Sequence, residues 1–201
     1  MDNKNEFKPY TPADKIVPEF TVTSIVIGIV LAIVFGAANA YLGLIVGMTI
    51  SASIPAAVIS MGVIRVILRK DSILENNIVQ TIGSAGESVA AGAIFTLPAL
   101  FIWAEEGKMD APSMLTIFFV ALFGGILGVC FMVPLRQALI EEEHGTLPFP
   151  EGTACAEVLL AGEEGGAKAG TVFAGLGIAA LYKSVADGLG VFKSEIGYAF
   201  E

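Results

Sequence analysis

From Phe20 to Ile64 the chain carries no charged residue, a run of 45 positions. A helix that crosses the hydrocarbon core of a bilayer needs roughly 20 apolar residues. This run alone therefore supplies two spans, and the fold class it dictates is an all-α membrane protein. The rest of the composition agrees. Charged residues make up 15% of the 201 positions and hydrophobic ones 55%, against about 25% charged in an ordinary soluble domain. The formal net charge of −9 and the lack of any Lys/Arg cluster argue against a nucleic-acid partner, because binding phosphates needs clustered cations. Cys130 and Cys155 form neither a zinc pattern nor a disulfide framework. No metal site or cofactor is expected.

Residues 1–19 mix acids with Lys4, Lys8 and Lys15. The apolar run after them is too long for a cleavable signal, so 1–19 reads as a cytoplasmic segment and 20–201 as the transmembrane region. The hydropathy pattern predicts a polytopic bundle of about four to five spans. The first is Phe20–Gly36, and the second is Gly43–Leu68 after a tight turn at Ala37–Leu42. The third is Ile78–Trp103 and the fourth Met114–Val133, with a shorter fifth candidate at Ala169–Tyr182. Positive residues stay on the cytoplasmic side. Lys4, Lys8, Lys15, Arg65, Arg69, Lys70, Arg136 and Lys168 all share one side if the N-terminus is cytoplasmic, which leaves Lys108 outside. Gly43/Gly47 and Gly124/Gly128 are small-xxx-small pairs suited to close helix packing.

Polar residues inside the apolar spans narrow the function. Ser72 and Glu75 form a Ser-x-x-Glu capping box, which places a helix start there. Gln80, Ser84, Glu87, Ser88 and Ala91 then recur on one helix face. Such a stripe must face other helices or a water-filled cavity, because lipid cannot satisfy it. Glu87 is the one acid in that span. Burial disfavours the charged form of a carboxylate, and intramembrane acids often carry protons or bind cations. The alternative is a glutamate that cements helix contacts. Thr49, Ser53 and Ser60, with Pro55 between them, read as the polar face of a kinked packing helix, and Asn39 as a cap of the outer turn. In the loop Pro134–Thr153, His144 follows three glutamates in a charge run of the kind that is usually solvated. Pro150 suits the first turn of a helix, and Gly152–Gly162 is too short to span. That segment is either an interfacial or half-membrane helix of the type on which transporters build binding sites, or a surface helix tucked under the bundle.

Three stretches resemble the oligopeptide transporter family, including its yellow-stripe-like branch. They are Glu75-Asn76-Asn77-Ile78-Val79-Gln80-Thr81, Val133-Pro134-Leu135-Arg136, and Leu147-Pro148-Phe149-Pro150-Glu151-Gly152-Thr153-Ala154. The resemblance implies a secondary transporter, a symporter that couples protons to uptake of small oligopeptides or metal-chelate complexes. Members are longer, so the chain is expected to be the N-terminal part of a larger transporter, with the remaining helices or oligomer partners around it. Its expected location is a plasma membrane, taken as a bacterial inner membrane. The expected substrate and proton pathway comprises Glu87, Gln80, Ser84, Ser88, Asn76, Pro150, Gly152 and Thr153. The other readings are a small helical channel or scaffold subunit and, ranked below it, a membrane-embedded enzyme. The enzyme would need paired acids or a nucleophile with its base at membrane depth. No nucleotide-binding motif supports ATP-driven transport.

Overall fold

The computed structural model describes residues 9–12, 14–70 and 72–188, and these are helical with no strand among them. Four helices are long and apolar enough to cross a membrane. The first, α1 (Val22–Val46), is opened by a capping box. Thr21 Oγ1 accepts from Ser24 N–H at 3.2 Å, and Ser24 Oγ accepts from Thr21 N–H at 3.0 Å.

The first departure from the sequence reading lies in α1. The expected turn at Ala37–Leu42 does not exist, and the helix continues through it to Val46. Ala37, Ala38, Ala40 and Leu42 are strong helix formers, and nothing in that stretch forces a reversal. The break comes at Gly47, where φ is 72°, a conformation that glycine adopts without strain. The chain then runs non-helically through Met48–Ala52 before α2 (Ser53–Met61) begins. A π-helical turn, Gly62–Ile67, extends α2. Together they are about 20 Å long at 1.5 Å per residue, short of the roughly 30 Å hydrocarbon core. The second span is thus a half-helix preceded by an unwound segment. Pro55 sits in the first turn of α2, where it is tolerated.

Helix α3 (Ile73–Glu105) is 33 residues long, about 50 Å, with Ser72 as its cap. Ser72 Oγ accepts from Glu75 N–H at 3.2 Å. The reciprocal arm of the expected box is missing because the Glu75 side chain is used elsewhere. It accepts a hydrogen bond from the Thr21 hydroxyl and lies 3.6 Å from Lys70 Nζ. Ser72 also donates to the Pro18 carbonyl at 2.5 Å. Residues 18–23, Lys70 and residues 72–75 therefore gather at one end of the bundle. That places the segment before α1 and the connection bearing Lys70 on the same side.

Since Thr21 meets Glu75 and Gly43 meets Ile94, α1 and α3 run parallel. They approach closely through glycines. A Cβ on Gly28 would lie 2.8 Å from Ile82 Cβ, and one on Gly86 would lie 2.6 Å from the carbonyl oxygen of Ala32. Helix α4 (Met114–Arg136) returns beside α3 with no buried residue, and a further π-helical turn, Gln137–Glu142, follows it. The expected Gly124/Gly128 contact is open, with no atom within 4 Å of either added Cβ, while Gly47 terminates α1 rather than packing.

Helix α5 (Pro150–Glu164) starts with Pro150 in its first turn. It lies parallel to α2, Cys155 beside Ser53 and Gly162 against Met61. Helix α6 (Gly166–Lys183) then runs back past Gly62 through Phe173. Apolar side chains such as Phe118, Phe123, Ile178 and Leu181 remain outward and exposed, the surface that lipid or neighbouring helices can cover.

Candidate functional site

Glu87 lies 14 residues into α3, about 21 Å along its axis, and is 7% exposed. Three elements meet at its carboxylate. From α1, Asn39 donates its amide N–H to Glu87 Oε1 at 2.8 Å. The backbone N–H of Ala52, the residue that caps α2, points at Glu87 Oε2 at 3.4 Å. Asn39 Oδ1 accepts in turn from the N–H of Ile50 in the unwound segment at 3.0 Å. Next to this chain of bonds, the Ser53 and Ser84 hydroxyls pair at 2.9 Å.

The local logic is that of a helix terminus. The first N–H groups of a helix have no partner within it, and its N-terminal end carries partial positive charge. A carboxylate at that end satisfies both needs. The break at Gly47–Ala52 exposes such an end in the interior, and Glu87 answers it from a neighbouring helix. Among the described residues, the groups bonded to Glu87 are N–H donors. An ionised carboxylate, which only accepts hydrogen bonds, matches them, whereas a protonated one brings an extra donor. No charged residue lies on α1 or α2, so no opposite charge compensates Glu87 from those helices.

The expected stripe is divided by the structure. Glu87 and Ser84 face α2 together. Gln80 is half-buried and accepts only from its neighbour Thr81, at 3.4 Å. Ser88 is exposed on the other flank, where it lines an apolar groove of about 480 Å³ between α3 and α4 with Ala85, Gly92, Thr96, Gly124 and Gly128. Asn76 is buried, but three turns before Glu87. There its Oδ1 accepts from the Ser60 hydroxyl at 2.8 Å and ties α2 to α3. Pro150, Gly152 and Thr153 are exposed at the start of α5. That start lies beside the start of α2, since the Cys155 thiol donates to the Ser53 carbonyl at 3.8 Å.

Asn39 and the unwound segment were not expected in the site. The available signal was that Asn39 is the only amide in the uncharged run. The buried acid Glu75, with Thr21 and Lys70, forms a separate cluster at the end of the bundle. Among the described residues, no group of three or more His, Cys, Asp or Glu side chains comes together as a metal site would require.

Comparison with known proteins adds the following. The family model described as OPT oligopeptide transporter protein matches residues 19–194. A candidate oligopeptide transporter of Haemophilus influenzae is 47% identical over 122 residues, which cover 61% of this chain and 18% of that protein. The chain thus spans less than a fifth of the length of that relative in the matched region. No solved structure matches the chain.

Proposed function

The chain belongs to the OPT oligopeptide transporter family, and from that premise we propose that it forms part of a proton-coupled symporter for small oligopeptides. Metal chelates of amino-acid-derived ligands are the other cargo class. The family match supports a transporter reading over an enzymatic one. One observation supports proton coupling above all: a buried carboxylate in the middle of a membrane helix, held by N–H donors at the start of a broken helix. Discontinuous helices are where secondary transporters gather substrate and coupling ions, and an intramembrane acid suits a proton carrier.

In this reading Ser84 and Ser53 border the pathway beside Glu87. Gln80 and Ser88 flank it on α3, and Asn76 holds α2 in place from below. Pro150, Gly152 and Thr153 begin the second half-helix and present its first turn to cargo. Uptake of a labelled tripeptide into vesicles tests the scheme. An inward proton gradient is expected to drive accumulation, and Gly152→Leu to reduce it several-fold with the amount of membrane protein unchanged. A pH-independent passive leak without accumulation would favour a channel, and accumulation of a metal chelate but not of peptide would reassign the cargo.

The proposed orientation puts the N-terminus, Arg65, Lys70 and Arg136 in the cytoplasm of a bacterial inner membrane, with Lys108 outside. A membrane-impermeant thiol reagent applied to intact cells is expected to label Lys108→Cys and not Arg136→Cys. The reverse pattern would invert the topology.

A further inference from the structure

The unwound segment Met48–Ala52 has a backbone held by few groups, and two of its bonds lead to one carboxylate. Ala52 N–H reaches Glu87 directly, and Ile50 N–H reaches it through Asn39. Around these bonds the segment is open. Met48 and Ile50 are 66% and 61% exposed, and Ser51 is exposed as well. Gly47 at its start has the left-handed backbone that lets the chain reverse there, with nothing within 4 Å of an added Cβ. The segment is therefore held at Thr49, which lies against Gly43, and by the bonds of Ile50 and Ala52, with the glycine Gly47 at its start.

We propose that Met48–Ala52 is a gate over the pathway, latched by ionised Glu87 through Asn39 and Ala52 and released when Glu87 takes up a proton. The inference rests on the proton-coupled reading of Glu87 and adds the part that moves. The hydrogen-bond inventory carries it. Ionised, Glu87 accepts from both tethers. Protonated, it has a donor of its own and loses the charge that favours it at the start of α2, so the Ala52 contact, already long at 3.4 Å, is the first to go.

α1, the segment itself and α2 contain no charged residue. On α3 the nearest acid is Glu75, three turns away with Thr21 and Lys70. α4 is uncharged from Met114 to Leu135. α5 carries Glu151 and Glu157, both exposed, and sets the Cys155 thiol against the Ser53 carbonyl.

The test is thiol accessibility of Ser51→Cys in the full-length protein in membranes, using a membrane-impermeant maleimide. Its rate is divided by that of Asp110→Cys, an exposed loop position that cancels the reagent's own pH dependence. The parent protein supplies the background from Cys130 and Cys155. Losing one hydrogen bond to a charged group shifts an opening equilibrium on the order of ten-fold. The ratio is therefore expected to rise about that much from mildly alkaline to mildly acidic pH. Glu87→Gln and Asn39→Ala should each give the high ratio at both. A ratio that does not change with pH in the protein with native Glu87 overturns the gate, and this arm leaves Glu87 and Asn39 unaltered.

The two ideas fail separately. An unchanged ratio, with pH-driven uptake abolished in Glu87→Gln, would leave coupling standing without the gate. A changing ratio, with pH-driven uptake intact in Glu87→Gln, would leave the gate standing without coupling.

Discussion

Glu87→Gln is expected to abolish proton-driven accumulation while substrate still exchanges across the membrane. For one proton moved per substrate, a pH difference of one unit supports about a ten-fold concentration ratio, since about 1.4 kcal/mol corresponds to ten-fold. Without an ionisable group at position 87 that ratio should fall to about one. The structure also shows why the substitution is not a simple neutral mimic. Both carboxylate oxygens face N–H donors, from Asn39 and Ala52, and a glutamine offers one acceptor and one donor. Asn39 cannot simply turn its amide to help, because its Oδ1 is engaged by Ile50 N–H. The mismatch leaves one donor without its partner, a cost of about 1–3 kcal/mol. Some loss of protein is therefore expected beside the loss of coupling.

Counterflow of labelled against unlabelled peptide, normalised to protein in the membrane, separates the two effects. A coupling residue loses accumulation and keeps counterflow. A residue whose only work is to hold α1, α2 and α3 together loses both in proportion to protein. Accumulation that still follows pH in the Gln variant would remove Glu87 from the mechanism.

How far this site could be read without coordinates follows from where its signals lie. Glu87 stands out because it is the one acid in the apolar stretch Ile78–Trp103. Its helix and its neighbour Ser84 follow from local periodicity. The start of α5 at Pro150 was equally local. Asn39 shows the opposite case. It lies 48 residues from its partner, and inside an uncharged run an amide looks the same whether it caps a turn or bonds a distant acid.

The misplaced break has the same origin. With both flanks apolar, hydropathy gives the total length of the run but not where the helix stops, and the deciding feature is the left-handed backbone at Gly47. Several other glycines in the run, Gly28, Gly36 and Gly43, remain helical because α3 packs on them. Composition cannot separate a glycine that ends a helix from one that lets a partner approach. The parallel pairing of α1 with α3 was out of reach for that reason, although its glycines were in plain view.

That pairing yields the largest expected effect on stability, from a single methyl group. Gly86→Ala is expected to destabilise the protein strongly, while Gly92→Ala, less than two turns further along α3, is neutral or mildly stabilising. A Cβ at position 86 would sit 2.6 Å from both the Cβ and the carbonyl oxygen of Ala32 and 2.7 Å from its Cα. Those atoms belong to the α1 backbone or are fixed to it, so no side chain can rotate away. The two helices must separate, and overpacking of this kind costs about 1–3 kcal/mol.

Separation also strains the bond next door, since Glu87 follows Gly86 and reaches Asn39 on the same helix as Ala32 at 2.8 Å. Weakening a hydrogen bond to a charged group adds about 1.5–3 kcal/mol. A combined loss of a few kcal/mol is a large share of a typical folding stability of about 5–15 kcal/mol. At Gly92 no atom lies within 4 Å of an added Cβ. There alanine brings only its better helix propensity, about 1 kcal/mol in its favour. Thermal unfolding in detergent, followed by the fraction of protein remaining monodisperse, reads the difference directly. Matching melting temperatures for the two variants would show that α1 and α3 do not depend on the Gly86 contact. A drop confined to Gly86→Ala, accompanied by loss of pH-driven uptake in the protein that survives, would tie the glycine interlock to the geometry of Glu87.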